Sequence, residues 1–144
     1  MTEVETLNDV LANEHAALYV YGVLGARTSE SATPDLYAAL RASYDVHRAR
    51  RDELTGLVAA DGATPAPAAT AYEVPGGLET ADGVTGAALA LERACAAVYA
   101  TAVAGTTAER REWAVTALND AAVRELGFRG TPEMFPGAGE YADR

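Results

Sequence analysis

Two matching stretches constrain this chain more than anything else in it: Leu11 to Tyr21, LANEHAALYVY, and Leu89 to Tyr99, LALERACAAVY. Each is an alanine-rich apolar run with one glutamate, Glu14 or Glu92, and a tyrosine seven residues later, Tyr21 or Tyr99. Seven residues make two helical turns, so glutamate and tyrosine share a face. Leu7, Leu11 and Leu18 lie on that face in the first run, and Ala88, Cys95 and Ala102 in the second. Each carboxylate therefore belongs to a stripe that should be buried, and a buried carboxylate needs a partner.

The rest of the chain arranges itself around these runs. Thr2-Glu3-Val4-Glu5 has capping-box spacing and opens a helix over about 3–26, with Leu7, Val10, Leu11, Glu14, Leu18, Tyr21 and Leu24 at helical intervals. A short polar link leads to Thr33-Pro34, an N-cap followed by proline at the first helical position. The second helix, about 34–60, has the inward stripe Leu36, Leu40, Tyr44, His47, Arg51, Leu54 and Val58, and Asp61-Gly62 ends it. Residues 62–80 hold three prolines and a Gly-Gly pair, so they cannot be helical. A helix of that length spans on the order of 40 Å, which an extended chain covers in about 12 residues. The segment is thus long enough to strap across a bundle and deliver the third helix, about 82–104, parallel to the second. Gly105-Thr106 makes a short hairpin link, and Thr106 to Glu109 has the spacing of a second capping box. It opens a fourth helix, about 107–126, with the stripe Val115, Leu118, Ala122 and Leu126 and an expected terminal glycine, Gly127. The tail, 128–144, is irregular; Phe128, Met134 and Phe135 should pack back on the bundle while the last residues fray.

Helix, short link, helix, long crossover, helix, short link, helix is the ferritin-like arrangement of an all-α four-helix bundle: two antiparallel hairpins joined by a crossover between helices two and three. The internal match agrees, with a shift of 78 residues between Glu14 and Glu92 and of 72 between the endings Arg51-Asp52-Glu53-Leu54 and Val123-Arg124-Glu125-Leu126. The chain also resembles the small actinobacterial ferritin-like proteins described as a domain of unknown function. The resembling residues are Glu14-His15-Ala16-Ala17 through Tyr21-Gly22, His47 to Asp52, Tyr72 to Pro75, Leu91-Glu92 and Phe135-Pro136-Gly137. The resemblance covers nearly the whole chain and implies a single ferritin-like domain over 1–144, without an activity to carry over. The lysine-free, alanine-rich composition looks like a high-GC actinobacterial coding sequence.

A carboxylate-bridged dimetal centre in such a bundle takes one glutamate from each of two helices and a Glu-x-x-His pair from each of the others. Glu14 and Glu92 are the single glutamates. Helix two supplies His47, but Tyr44 stands at the glutamate position, and the shift of 72 gives Thr116 and Asn119 in helix four. Three of six ligands remain. The residues therefore favour a metal-free buried network of Glu14, Tyr21, Tyr44, His47, Arg51, Glu92 and Tyr99, in which Arg51 pairs a carboxylate. The alternative is a reduced iron or manganese site at Glu14, His47 and Glu92, serving an oxidoreductase or an iron-handling protein. His15 should lie on the helix flank, Trp113 in core or interface, and Cys95 in the core as a small hydrophobe.

Charge and composition narrow the partners. A net charge of −10, with eleven cations all arginine, disfavours nucleic acid and anionic membranes. The N-terminus is acidic and unlike a signal peptide, no apolar run approaches the roughly 20 residues of a membrane span, and one cysteine permits no internal disulfide. Together these predict a cytoplasmic protein. No phosphate loop, nucleophile elbow or His-Glu-x-x-His is present, so the leaning is non-enzymatic. The expected action is self-association as a homodimer, or binding of a protein partner or of a small ligand between the helices near the tyrosines.

Overall fold

Helix α1 (Glu3–Ala26) starts where the Thr2 amide donates to Glu5 at 2.6 Å while Thr2 Oγ1 accepts from the Glu5 amide, a closed capping box. Helix α2 (Pro34–Ala60) begins with proline at its first turn and stops before Gly62, whose φ of +77° reverses the chain at little steric cost. Helix α3 (Ala81–Gly105) is capped by Thr80 Oγ1, which accepts from the Gly83 amide at 3.0 Å. Helix α4 (Ala108–Gly127) completes an all-α bundle of four helices in this computed structural model, which describes residues 1–140.

The start of α4 differs from the expected capping box. The Thr106 hydroxyl donates to the Ala102 carbonyl at 2.6 Å and so continues α3. The amide and hydroxyl of Thr107 instead donate to Glu3 of α1, at 2.5 and 2.8 Å, so a carboxylate from another helix meets the positive end of α4. The far end differs too: Gly127 is the last helical residue, and Arg129 takes the left-handed turn at φ +67°.

The α1–α2 and α3–α4 hairpins pack side by side, with α1 also against α3. Contacts between Thr6 and Gly105, Glu14 and Tyr99, and Glu92 and Tyr21 run in opposite senses along α1 and α3, so these helices are antiparallel. A Cβ on Gly105 would sit 2.8 Å from Thr6 Oγ1, so only glycine lets the two helices meet there. The crossover runs over α1. Asn8 accepts from the Ala66 amide at 2.7 Å and donates to the Thr64 carbonyl at 3.0 Å; Tyr72 lies against Tyr19.

The interior facing α3 is lined by small side chains on α4: Ala114, Ala117 and Ala121 are buried, while Val115, Val123 and Leu126 are exposed. Of the expected stripe, Leu118 packs half-buried against the core and Ala122 is half-buried, but Val115 and Leu126 are exposed, because the most buried line runs one position earlier. Apposed alanine-rich faces bring helices too close to leave volume for leucine, so bulk is turned outward. The same correction applies to the tail, where Phe128 is buried but Met134 and Phe135 are exposed. The expected fraying falls on residues 141–144, outside those described. By length and a mean hydropathy of 1.4, α3 does suffice to cross a membrane, contrary to the expectation from apolar runs. Its contacts with α1 and α4, and the buried Glu92 within it, are those of a core helix.

Candidate functional site

The two Glu-to-Tyr repeats cross over. Tyr21 of α1 donates its hydroxyl to Glu92 of α3, and Tyr99 of α3 donates to Glu14 of α1. The antiparallel pairing of the helices converts a spacing within each helix into a reciprocal contact between them. His47, on α2, lies between the two carboxylates: Nδ1 is 2.6 Å from Glu14 Oε2 and Nε2 is 3.1 Å from Glu92 Oε1. All five side chains have at most 1% exposure. A carboxylate only accepts, so an imidazole with an acid at each nitrogen donates from both, as imidazolium. Burial alone would lower the His47 pKa, but the hydrogen bonds and charges of Glu14 and Glu92 outweigh it and hold it above the usual value. For Glu92 burial works upward, and is overcome by the hydrogen bond from His47 and the charge of Arg124, so its carboxyl stays below the ordinary range. Burial, reinforced by the neighbouring carboxylates, raises both tyrosines and keeps them neutral donors.

Two arginines complete the network, and neither is Arg51. Arg51 pairs with its exposed neighbour Asp52. Arg50 is the buried one: it donates to Tyr99 Oη at 3.1 Å, lies over the Tyr99 ring at 5.0 Å, and pairs with Asp120. Tyr44 is likewise outside the network, 37% exposed on the surface of α2, with Ser43 buried in its place. Both misplacements come from the drift of a 3.6-residue helix against a pattern stepped by fours and threes. Arg124 of α4 donates from Nε to Glu92 Oε1 at 3.0 Å and from Nη1 to Asp120 at 2.7 Å. Thr116 and Asn119, placed there by the shift of 72, are exposed. The shift of 78 would have carried His47 to Glu125, next to Arg124, and is the signal by which this residue could be found. Three acids, Glu14, Glu92 and Asp120, thus face three cations, His47, Arg50 and Arg124.

These residues do not fit a dimetal centre. The two carboxylates engage opposite edges of the imidazole, so the ligand atoms diverge instead of converging on one point. The α4 side of the site carries a guanidinium, which repels a cation. Among the described residues no group of three His, Cys, Asp or Glu side chains is placed to hold a metal ion. Glu92 Oε2, Arg124 Nη2 and Glu125 Oε1 are buried without a hydrogen-bond partner. Burial raises the Glu125 carboxyl to about 6. Cys95 is fully buried, and burial first, then the nearby carboxylates, push its thiol up, which leaves it unreactive. His15 donates from Nε2 to the Ala66 carbonyl at 2.9 Å and helps hold the crossover. Trp113 donates to Glu53 at 2.9 Å and meets the Tyr99 ring edge-on, sealing one end of the network.

Residues 6–140 match the family described as Domain of unknown function (DUF4439). Among solved structures, the chain is similar to a conserved hypothetical protein from Mycobacterium tuberculosis, with 30% identity and a TM-score of 0.80 over 88% of this chain and 87% of that one. No curated protein matches it.

Proposed function

The chain belongs to the family described as Domain of unknown function (DUF4439), and we propose that it is a ferritin-like, non-enzymatic protein in which a buried ion-pair network stands where a dimetal centre would sit. The protein acts by self-association or by binding a partner or small ligand. The long crossover, the parallel run of α2 and α3, and the mid-bundle positions of Glu14, His47 and Glu92 support the ferritin-like reading. The observation that carries the metal-free reading is His47, whose two nitrogens are each spent on a carboxylate. Removing either acid would leave a buried cation short of its partner, which typically costs about 3–5 kcal/mol. The residues therefore serve stability and a single packing arrangement.

The second reading, iron or manganese held by Glu14, His47 and Glu92, is favoured by one feature only, the unpartnered Glu92 Oε2. Elemental analysis of freshly purified protein followed by iron(II) and manganese(II) titration separates the two. The network predicts substoichiometric metal, no saturable site at micromolar ion, and no metal-dependent change in melting temperature. Stoichiometric metal that disappears in Glu92→Gln establishes the second reading and removes the first.

A further inference from the structure

A cleft of about 380 Å³ opens between α1 and the first half of α2, on the surface outside the buried network. One wall is a single helical stripe, Tyr37, Arg41, Tyr44 and Arg48, in which aromatic and cationic side chains alternate over three turns. The opposite wall carries Gly22 and Gly25, where an added Cβ would meet nothing within 4 Å. Glycine inside a helix is unfavourable relative to alanine. Neither position has the close helix approach that justifies Gly105, and both keep this wall flat. The floor is Tyr21, the ring whose hydroxyl holds Glu92.

The arginines carry the argument. In a chain of net charge −10, most described arginines pair with an acid: Arg50, Arg51, Arg93, Arg110, Arg124 and Arg129. Among the described residues Arg27, Arg41, Arg48 and Arg111 do not, and for Arg41 and Arg48 this holds although Asp45 lies four residues after one and three before the other, the spacings at which helical ion pairs form. Asp45 lines the same cleft and, among the described residues, pairs with neither. The cleft therefore carries a net charge of +1 on an acidic molecule, with two guanidinium forks uncommitted. Guanidinium groups bind carboxylate and phosphate through paired donors, and tyrosine faces accept planar rings. The volume lies at the lower end of the range for small-molecule sites.

We propose that this cleft binds a small aromatic anion, a planar ring carrying one carboxylate or phosphate, with the ring against Tyr37 and Tyr44 and the anionic group on Arg41 and Arg48. The site rests on the small-ligand branch of the proposed function, whose chemistry it names, and is independent of whether the core takes a metal. Binding is read from ¹H–¹⁵N chemical-shift titrations of the full chain with benzoate and with phenyl phosphate, and with inorganic phosphate and benzyl alcohol as the separated halves. At least one aromatic anion should give saturable shifts centred on Gly22, Gly25 and residues 37–48, at least about tenfold tighter than either half. Arg41→Gln combined with Arg48→Gln should weaken it about tenfold or more by removing charge. Gly22→Leu should weaken it as much by filling the cleft, while raising the melting temperature because leucine is the better helix former, so its effect is not unfolding. The proposal fails if neither aromatic anion saturates, if inorganic phosphate binds as tightly, or if Gly22→Leu binds like the parent.

Discussion

His47 sets the pH response of the molecule, because its charge is what lets two carboxylates be buried together. Its pKa is raised above 6.5 in the folded state, so its contribution is complete below about 6.5 and is lost as pH rises through the raised value. Glu92 is lowered from 4.5, so its contribution is complete above about 4.5 and is lost as pH falls through the lowered value. The Glu125 carboxyl, raised from 4.5 to about 6, adds a loss of stability as pH rises between those values. Stability should therefore peak near pH 4.5 and decline on both sides, with the decline above about 6.5 belonging to His47. In His47→Gln the decline between about pH 6.5 and 9 should disappear, leaving the one that the raised Cys95 thiol and the two tyrosines cause above it, and the protein should be less stable by about 3–5 kcal/mol at pH 6, measured by urea unfolding across pH. Retention of the first of these slopes in the variant would assign it to another group. At this scale the sequence was partly legible. Glu14, Glu92 and the two tyrosines follow from periodicity, because a carboxylate among leucines and alanines must be answered. Arg50 and Arg51 are adjacent, both polar and both compatible with a stripe drawn by eye, and only the rotation of the helix decides between them.

At the scale of elements, helix boundaries were legible where local chemistry decides them, and helix faces where side-chain volume does not mislead. Thr2, Pro34 and Gly62 act on their own turns, so their signals survive folding. The cap of α4 depends on Glu3, more than a hundred residues away, and no local pattern reveals it. In α4 the large apolar residues suggested the buried face, yet the neighbouring alanines occupy it, because close approach of helices selects small side chains. This has a direct test. Ala121 is fully buried, so Ala121→Leu should cost about 1–3 kcal/mol through overpacking, whereas Val123→Ala, at a position 66% exposed, should change unfolding by less than about 0.5 kcal/mol under conditions where the protein is monomeric. Equal effects in urea melts would mean that the leucine-bearing face is the buried one.

At the scale of the whole molecule, the bulk turned outward by α4 has to be accounted for. Val123 and Leu126 form an apolar ridge beside a groove of about 280 Å³ lined by Ala39, Ala42 and Val46 of α2 and by Phe128. Ridge and groove lie on the same face, so a second copy rotated by a twofold axis could seat its ridge in the groove of the first while receiving the other in return, as an isologous interface requires. The groove lining is also almost free of charge, since Arg124 is the one ionised residue among the described residues that line it, and that group is committed to Glu92 and Asp120. Two chains that each carry −10 repel wherever their acidic surfaces face, and a neutral apolar face is where they can approach at least cost. The expected assembly is a homodimer through α2 and α4, with a mass near twice 14.9 kDa by light scattering after size exclusion at micromolar concentration. Val123→Glu with Leu126→Glu should yield a monomer with an unchanged far-ultraviolet circular dichroism spectrum, because both side chains are exposed in the single chain. A parent that is already monomeric at 100 µM, or a double variant that still dimerises, would move self-association away from this face.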